Sequence, residues 1–303
     1  MRLAALLLLL LLLPACSPES RAPAPDAAAT AGPLVVYTVN APLEWMAGRI
    51  GGDAVEVRFP APADVDPALW SPDPETVAAY QGGDLILLNG AGYAGWVARA
   101  TLRRRALLDT SAGFQDRLIP VEDATTHQHG PKGDHSHGEV AFTTWLDATL
   151  AAEQARAVAG ALADTRPADA ETFATGLAGV ESDLAELDHR LADAAASLGE
   201  APILFSHPVY QYLGRRYRLN GRSLHWEPDA HPGAGEWRSL EALLREHPAR
   251  LMLWEAEPVP STAQRLKALG VESVVFAPCG NRCGDDWLGA MQDNAARLEA
   301  ALR

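Results

Sequence analysis

The chain has 303 residues, with 39 acidic against 25 basic side chains and a net charge of -14. That length is long for one hydrophobic core and leads to an expectation of two domains. So strong an acidic balance repels phosphate backbones and excludes nucleic acid as a partner, while its field favours cations near the surface.

Met1-Arg2 precedes an unbroken apolar run from Leu3 to Leu13. One basic residue before a stretch too short to span a bilayer reads as a secretory signal, assigned to 1–15. The sequence Leu13-Pro14-Ala15-Cys16 is similar to the bacterial lipoprotein signal, in which the cysteine thiol carries lipid. The mature chain is therefore expected to begin at lipidated Cys16, on the periplasmic or other extracytoplasmic face of a bacterial membrane. Residues 16–33 are rich in Pro, Ala, Ser and Gly, bury too little apolar surface to fold, and form a flexible tether. At roughly 3 Å per residue the tether reaches about 50 Å.

An N-terminal αβ lobe is assigned to 34–166, with strands at 34–39, 55–59 and 84–88 and helices at 43–50 and 74–81. Leu85-Ile86-Leu87-Leu88 is apolar on both faces, as a strand covered by helices on each side requires. Within this lobe the segment 122–139 carries His127, His129, His135 and His137, four of the nine histidines in the chain. It has no apolar periodicity and is rich in Gly and polar residues, so it reads as a solvated, metal-attracting loop. Asp134 and Glu139 are placed to assist, as ligands or by fixing imidazole tautomers.

Apolar residues then fall at Phe173, Leu177, Val180, Leu184, Leu187 and Leu191. Their spacing predicts one connecting helix over 167–198, roughly 45 Å long. A C-terminal αβ lobe, 199–303, has strands at 203–206, 251–254 and 273–276 and helices at 209–217, 240–246, 262–269 and 286–302. The fold class is α/β, two αβα lobes joined by a long rigid helix. In open sheets of this kind ligands sit beyond the carboxyl ends of the strands, which selects 66–70, 89–93, His207, Glu255 and 277–279. Cys279 and Cys283 are expected to form a small-loop disulfide in an oxidising compartment, a dithiolate metal site being the alternative. His225 and His231 bracket a polar segment containing Glu227, and His189 and His247 read as surface residues. With no nucleophile elbow, phosphate-cradling loop or His-Glu-x-x-His helix, the chain reads as a non-enzyme.

Asp66-Pro67, Asp84-Leu85-Ile86, Asn89-Gly90, the His-rich insertion before Trp145-Leu146-Asp147, the long helix, Ser206-His207-Pro208-Val209-Tyr210-Gln211-Tyr212, Trp254-Glu255 and Asn294 follow one another in a specific order. In that order and spacing the chain resembles the metal-specific solute-binding lipoproteins of bacterial ABC transporters, which collect zinc or manganese. The resemblance implies a metal cleft between lobes that hinge little and a divalent metal ion, zinc above all, as cargo. It also implies a monomer held to the membrane by its lipid anchor alone, an ABC permease as partner, and a metal-donor chaperone as a further candidate. It places metal ligands at four positions, where this chain has Ala68, Thr143, His207 and Ala277. Only His207 is a metal donor of the expected kind.

Three accounts follow. His207 and neighbouring carboxylates, Glu255, Glu227 or Asp66, recruit imidazoles from the 122–139 loop. Alternatively the cleft has lost its metal site and binds another small solute or a metal chelate, lined by Trp70, Tyr93, Trp96, Trp226 and Trp254. Or the protein is an accessory metal chaperone or sensor that uses the loop alone. Glu255 reads either as a ligand or as a hydrogen-bond acceptor behind His207.

Overall fold

Apolar residues covered on both faces build the central strands of the first sheet, β1 (Leu34–Thr38) and β3 (Leu85–Leu88), and the partly exposed β2 (Val55–Arg58) and β4 (Leu107–Asp109) flank them. They are parallel, in the order β2-β1-β3-β4. In this computed structural model the described residues are 32–121 and 140–302, with the backbone alone at 127–128 and 134–135. The signal segment, Cys16, the tether up to 31, His129, His137 and Glu139 lie outside the described residues, as do the side chains of His127, Asp134 and His135.

Local signals explain the helices. Asn40 accepts from the Leu43 N–H to cap α1 (Ala41–Gly51), and Asp73 accepts from Thr76 to cap α2 (Pro74–Gln81). Both have proline in the first turn, where its missing N–H costs nothing. The backbone pairs His127 with His135 in a short antiparallel ladder of β5 (His127–Gln128) and β6 (Asp134–His135). Asp147 then caps α3 (Ala148–Thr165) through the Thr149 and Leu150 amides. A single turn at 167–169 leads into α4 (Ala170–Leu198), 29 residues long, whose Phe173, Val180, Leu184, Leu187 and Leu191 are buried.

The second sheet repeats the plan: β7 (Pro202–Phe205), α5 (Gln211–Tyr217), β8 (Asn220–Ser223), α6 (Ala234–Glu246), β9 (Leu251–Trp254), α7 (Pro260–Ala268), β10 (Glu272–Val275) and α8 (Trp287–Ala301). Its order is β10-β9-β7-β8, again parallel. One apolar cluster joins the two sheets, running from Leu34 and Ile86 through Leu150, Leu184 and Leu187 to Phe205, Phe276 and Leu298.

Besides the short β5–β6 ladder in a segment read as a loop, the structure adds α3, β4 and β8 to the sequence reading. Helix α3 buries Leu150, Ala151, Ala155, Val158, Ala159 and Leu162 at helical spacing, but alanine makes that stripe faint. Strand β4 has three residues, and the polar edge strand β8, Asn-Gly-Arg-Ser, has no apolar alternation to announce it. One reading is corrected: His247 is not on the surface. It ends α6, is 5% exposed, and its Nε2 lies 2.9 Å from Ile203 O, so its polarity is satisfied inside the lobe.

Helix α4 passes so close to α1 that a Cβ on Gly176 would lie 2.7 Å from Ile50 Cα and 2.8 Å from its carbonyl carbon. Backbone cannot yield as a side chain can, so Gly176→Ala should destabilise the fold by about 1–3 kcal/mol. Gly179→Ala, on the same helix with nothing within 4 Å, should instead be neutral or stabilising by up to about 1 kcal/mol. Urea unfolding of the two variants distinguishes a tight helix crossing from a general effect of glycine.

Candidate functional site

The carboxyl ends of the strands carry the site. His207 follows β7, and the segment after β8 is laced to it by Leu224 N–H to Phe205 O and Trp226 N–H to Ser206 O, each 2.8 Å. This lacing brings Glu227 to the imidazole, with Glu227 Oε1 3.6 Å from Nε2. Glu255 directly follows β9, and its Oε1 lies 3.4 Å from Nδ1. The His207 side chain is 7% exposed, and the two glutamates are about one-third exposed.

From the other lobe, Asp66 turns the loop after β2, its Oδ1 accepting from Ala68 N–H at 2.9 Å. Asp66, Tyr93, Phe142, Trp145, His207, Glu227 and Glu255 line one cleft of ≈ 460 Å³. Its rim is a clasp from the C-terminal lobe, closed by the Cys279–Cys283 disulfide with Cα atoms 5.8 Å apart. The clasp grips the N-terminal lobe: Arg282 donates to both Glu44 oxygens and, at 2.8 Å, to Phe59 O. Asn281 donates to Pro62 O and Val65 O at 2.7 and 2.8 Å.

Burial, then the charges of Glu227 and Asp66, push the Glu255 carboxyl up to about 8 from its ordinary 4.5. Burial and Asp66 raise the Tyr93 phenol well above its usual range, and its hydroxyl has no hydrogen-bond partner among the described residues. Among the described residues the cleft is thus short of positive charge. With Nδ1 facing Glu255 and Nε2 facing Glu227, His207 can present one nitrogen to a cation while the other is oriented by a carboxylate. Among the described residues, however, no group of three or more His, Cys, Asp or Glu converges tightly enough to hold a metal ion.

The positions where ligands were expected serve the scaffold. Ala68 N–H satisfies Asp66, Thr143 Oγ1 donates to Val209 O at 2.6 Å, and Ala277 exchanges two hydrogen bonds with Asn294, 3.1 and 2.7 Å. Of the aromatic residues expected to line a pocket, Tyr93 does. Trp226 and Trp254 belong instead to the core on the far face of the second sheet, and Trp70 and Trp96 pack edge to face. The sequence reading missed Phe142 and Trp145, which sit beyond the loop rather than at a strand end.

His225, which with His231 brackets a segment with donors enough for a site but read rather as a polar loop, has its ring perpendicular to that of His207 with centroids 5.8 Å apart. It lines a second cavity, ≈ 510 Å³, which shares Phe142, Thr143 and Val209 with the first. Val121 and Val140, the two stems of the His-rich segment, line that second cavity as well. They are held together by the Pro120–Val140 bridge and by Ala141 N–H to Ile119 O at 2.8 Å. His231 is elsewhere, with Nδ1 3.2 Å from Ser261 Oγ, and His189 is exposed on α4.

Two four-stranded parallel lobes, a long helix between them and a cleft at the strand ends define the fold of the metal-type periplasmic binding proteins. The chain belongs to the family described as zinc-uptake complex component A, periplasmic, whose model matches residues 36–301. Members of that family are transport components rather than enzymes. The manganese-binding lipoprotein MntA of Halalkalibacterium halodurans is 23% identical over 185 residues, 60% of this chain and 57% of that one. The aligned region thus spans little more than half of that relative. Among solved structures, the metal-dependent lipoprotein YcdH of Bacillus subtilis superposes with a TM-score of 0.76 at 20% identity, covering 89% of this chain and 100% of the other. The zinc-bound ZnuA-like domain of Streptococcus pneumoniae AdcA gives 0.74 at 20% identity, covering 89% and 98%.

Because its folded pKa lies above 4.5, the Glu255 carboxyl binds its proton more tightly in the native state than in the unfolded chain. Its contribution to stability is fully present below about 4.5 and is lost as pH rises through about 8. Thermal melts of metal-free protein between these limits should show wild type losing stability relative to Glu255→Gln as pH rises. Parallel curves would remove Glu255 as the cause.

Proposed function

We propose that the protein is an extracytoplasmic solute-binding protein that captures a divalent transition-metal ion, zinc foremost, in the interlobe cleft and delivers it to an ABC permease. Lipidated Cys16 would hold it at the membrane as a monomer. His207 Nε2 and Glu227 supply two donors, Glu255 steadies the imidazole from Nδ1, and His127, His129, His135 and His137 complete the sphere. The observation that carries this reading is the pairing of His207 with two carboxylates in a cleft beside the stems of the His-rich segment. Zinc needs about four nitrogen, sulfur or oxygen donors at roughly 2.0–2.3 Å, and imidazoles brought by a nearby loop meet that need at small entropic cost.

Calorimetry with zinc tests it. His207→Ala should weaken binding by at least about 100-fold, and removal of 122–139 should do likewise, whereas Glu255→Gln should cost about 10–100-fold, as groups that orient a ligand do. Unchanged affinity in the loop deletion would refute the loop imidazoles as ligands.

One observation favours a second reading. A cleft of ≈ 460 Å³ walled by Tyr93, Phe142 and Trp145 is far larger than a bare ion requires and lies in the range of small-molecule sites. Native mass spectrometry of protein from its source cells separates the two: a mass increment equal to the metal alone supports ion capture, and an added organic mass supports a chelate or another solute.

A further inference from the structure

In a chain of net charge -14, residues 99–105 hold Arg99, Arg103, Arg104 and Arg105. The other arginines of the N-terminal lobe, Arg49, Arg58, Arg117, Arg156 and Arg166, each sit in an ion pair with a carboxylate. These four are exposed and pair with no carboxylate among the described residues. A guanidinium left unpaired in an acidic protein is a charge available to an outside partner.

The topology says where that charge lies. All four strands of the first sheet are parallel, so their amino ends share one edge of the lobe, opposite the carboxyl ends that carry Asp66 and Tyr93. The 101–105 segment is fastened to the amino-end edge, with Gln81 Nε2 donating to Thr101 O at 2.7 Å and Arg103 donating to Gly83 O. Next to Gly83, Asp84 exchanges hydrogen bonds with Val35, N–H to O and N–H to Oδ2, both 2.8 Å. Val35 is the second residue of β1, two after Pro33, so the polypeptide enters the lobe beside the arginines.

We propose that Arg99, Arg103, Arg104 and Arg105 form a docking surface for an anionic phospholipid bilayer. Charge complementarity and the entry of the chain at the same edge select this partner. The lipid-anchored reading of Cys16 supplies only the nearness of the bilayer, and nothing here depends on what the cleft binds. Docked by this edge, the N-terminal lobe turns the strand ends that carry Asp66 and Tyr93 away from the membrane. Presentation of the cleft to a permease then requires the arginines to let go, which screening by salt would assist.

The test is hydrogen exchange of the full chain with an excess of vesicles, either phosphatidylethanolamine with phosphatidylglycerol or phosphatidylcholine alone, with flotation of the same samples reporting the anchor separately. Amides of 99–106 should exchange at least about tenfold more slowly on the anionic vesicles only, an effect that high salt removes. Replacing Arg99, Arg104 and Arg105 together by Gln should abolish the protection, and replacing them by Lys should retain it. Equal exchange on both vesicle types, protection that survives in the Gln variant, or protection seen only when a permease is present would overturn the proposal.

Discussion

The two lobes share one apolar core, and the shape of the cleft depends on it. Buried residues of the first sheet, of α3 and of α4 are continuous with Phe205, Tyr210, Phe276 and Leu298 of the second lobe. Parting the lobes would expose side chains whose burial is worth roughly 1.5–3 kcal/mol each. Polar stitches run across the same junction: Tyr212 donates to Ala141 O at 2.9 Å, and Trp145 Nε1 donates to Pro278 O at 2.7 Å. Cleft width is therefore fixed by packing, and a ligand has little freedom to draw the walls together.

A fixed cleft turns its acidic residues into a constraint on occupancy. Glu255, Glu227 and Asp66 are held near one another by the strand ends and loops that carry them, and their mutual repulsion favours a proton or a cation among them. One answer is a proton on Glu255, whose carboxyl is held up to about 8. A divalent cation is the other answer, and it would displace that proton as it binds. Among the described residues that line the cleft the one guanidinium, Arg282, is committed to Glu44 and Phe59 O.

Most of the architecture is legible in the sequence because its physical signals are local and strong. The both-face apolar strands, the proline-opened helices and the long stripe of α4 each depend on near neighbours in the chain. What was illegible has a physical cause in each case. Helix α3 buries alanines, which pattern arguments weigh lightly, and β8 is recognised only by the strand it pairs with. The burial of His247 follows from a carbonyl 44 residues away, and the approach of His225 to His207 from the way the β8 strand leads back over β7. The position-by-position resemblance located His207 and the three substituted positions, but spacing alone could not tell what those substitutions do.

They turn out to be built into the frame. Ala68 lets its amide cap the Asp66 turn, Thr143 ties the stem of the His-rich segment to Val209, and Ala277 is clamped from both sides by Asn294. The bonds at Ala68 and Ala277 are made by backbone atoms, whereas that at Thr143 is made by the side chain itself. Thr143 sits at a junction: it lines the cleft, it lines the neighbouring cavity with His225, and it lies three residues past the stem at Val140. The hydroxyl at the expected ligand position thus fixes the base of the His-rich segment to the second lobe, through its hydrogen bond to Val209 O.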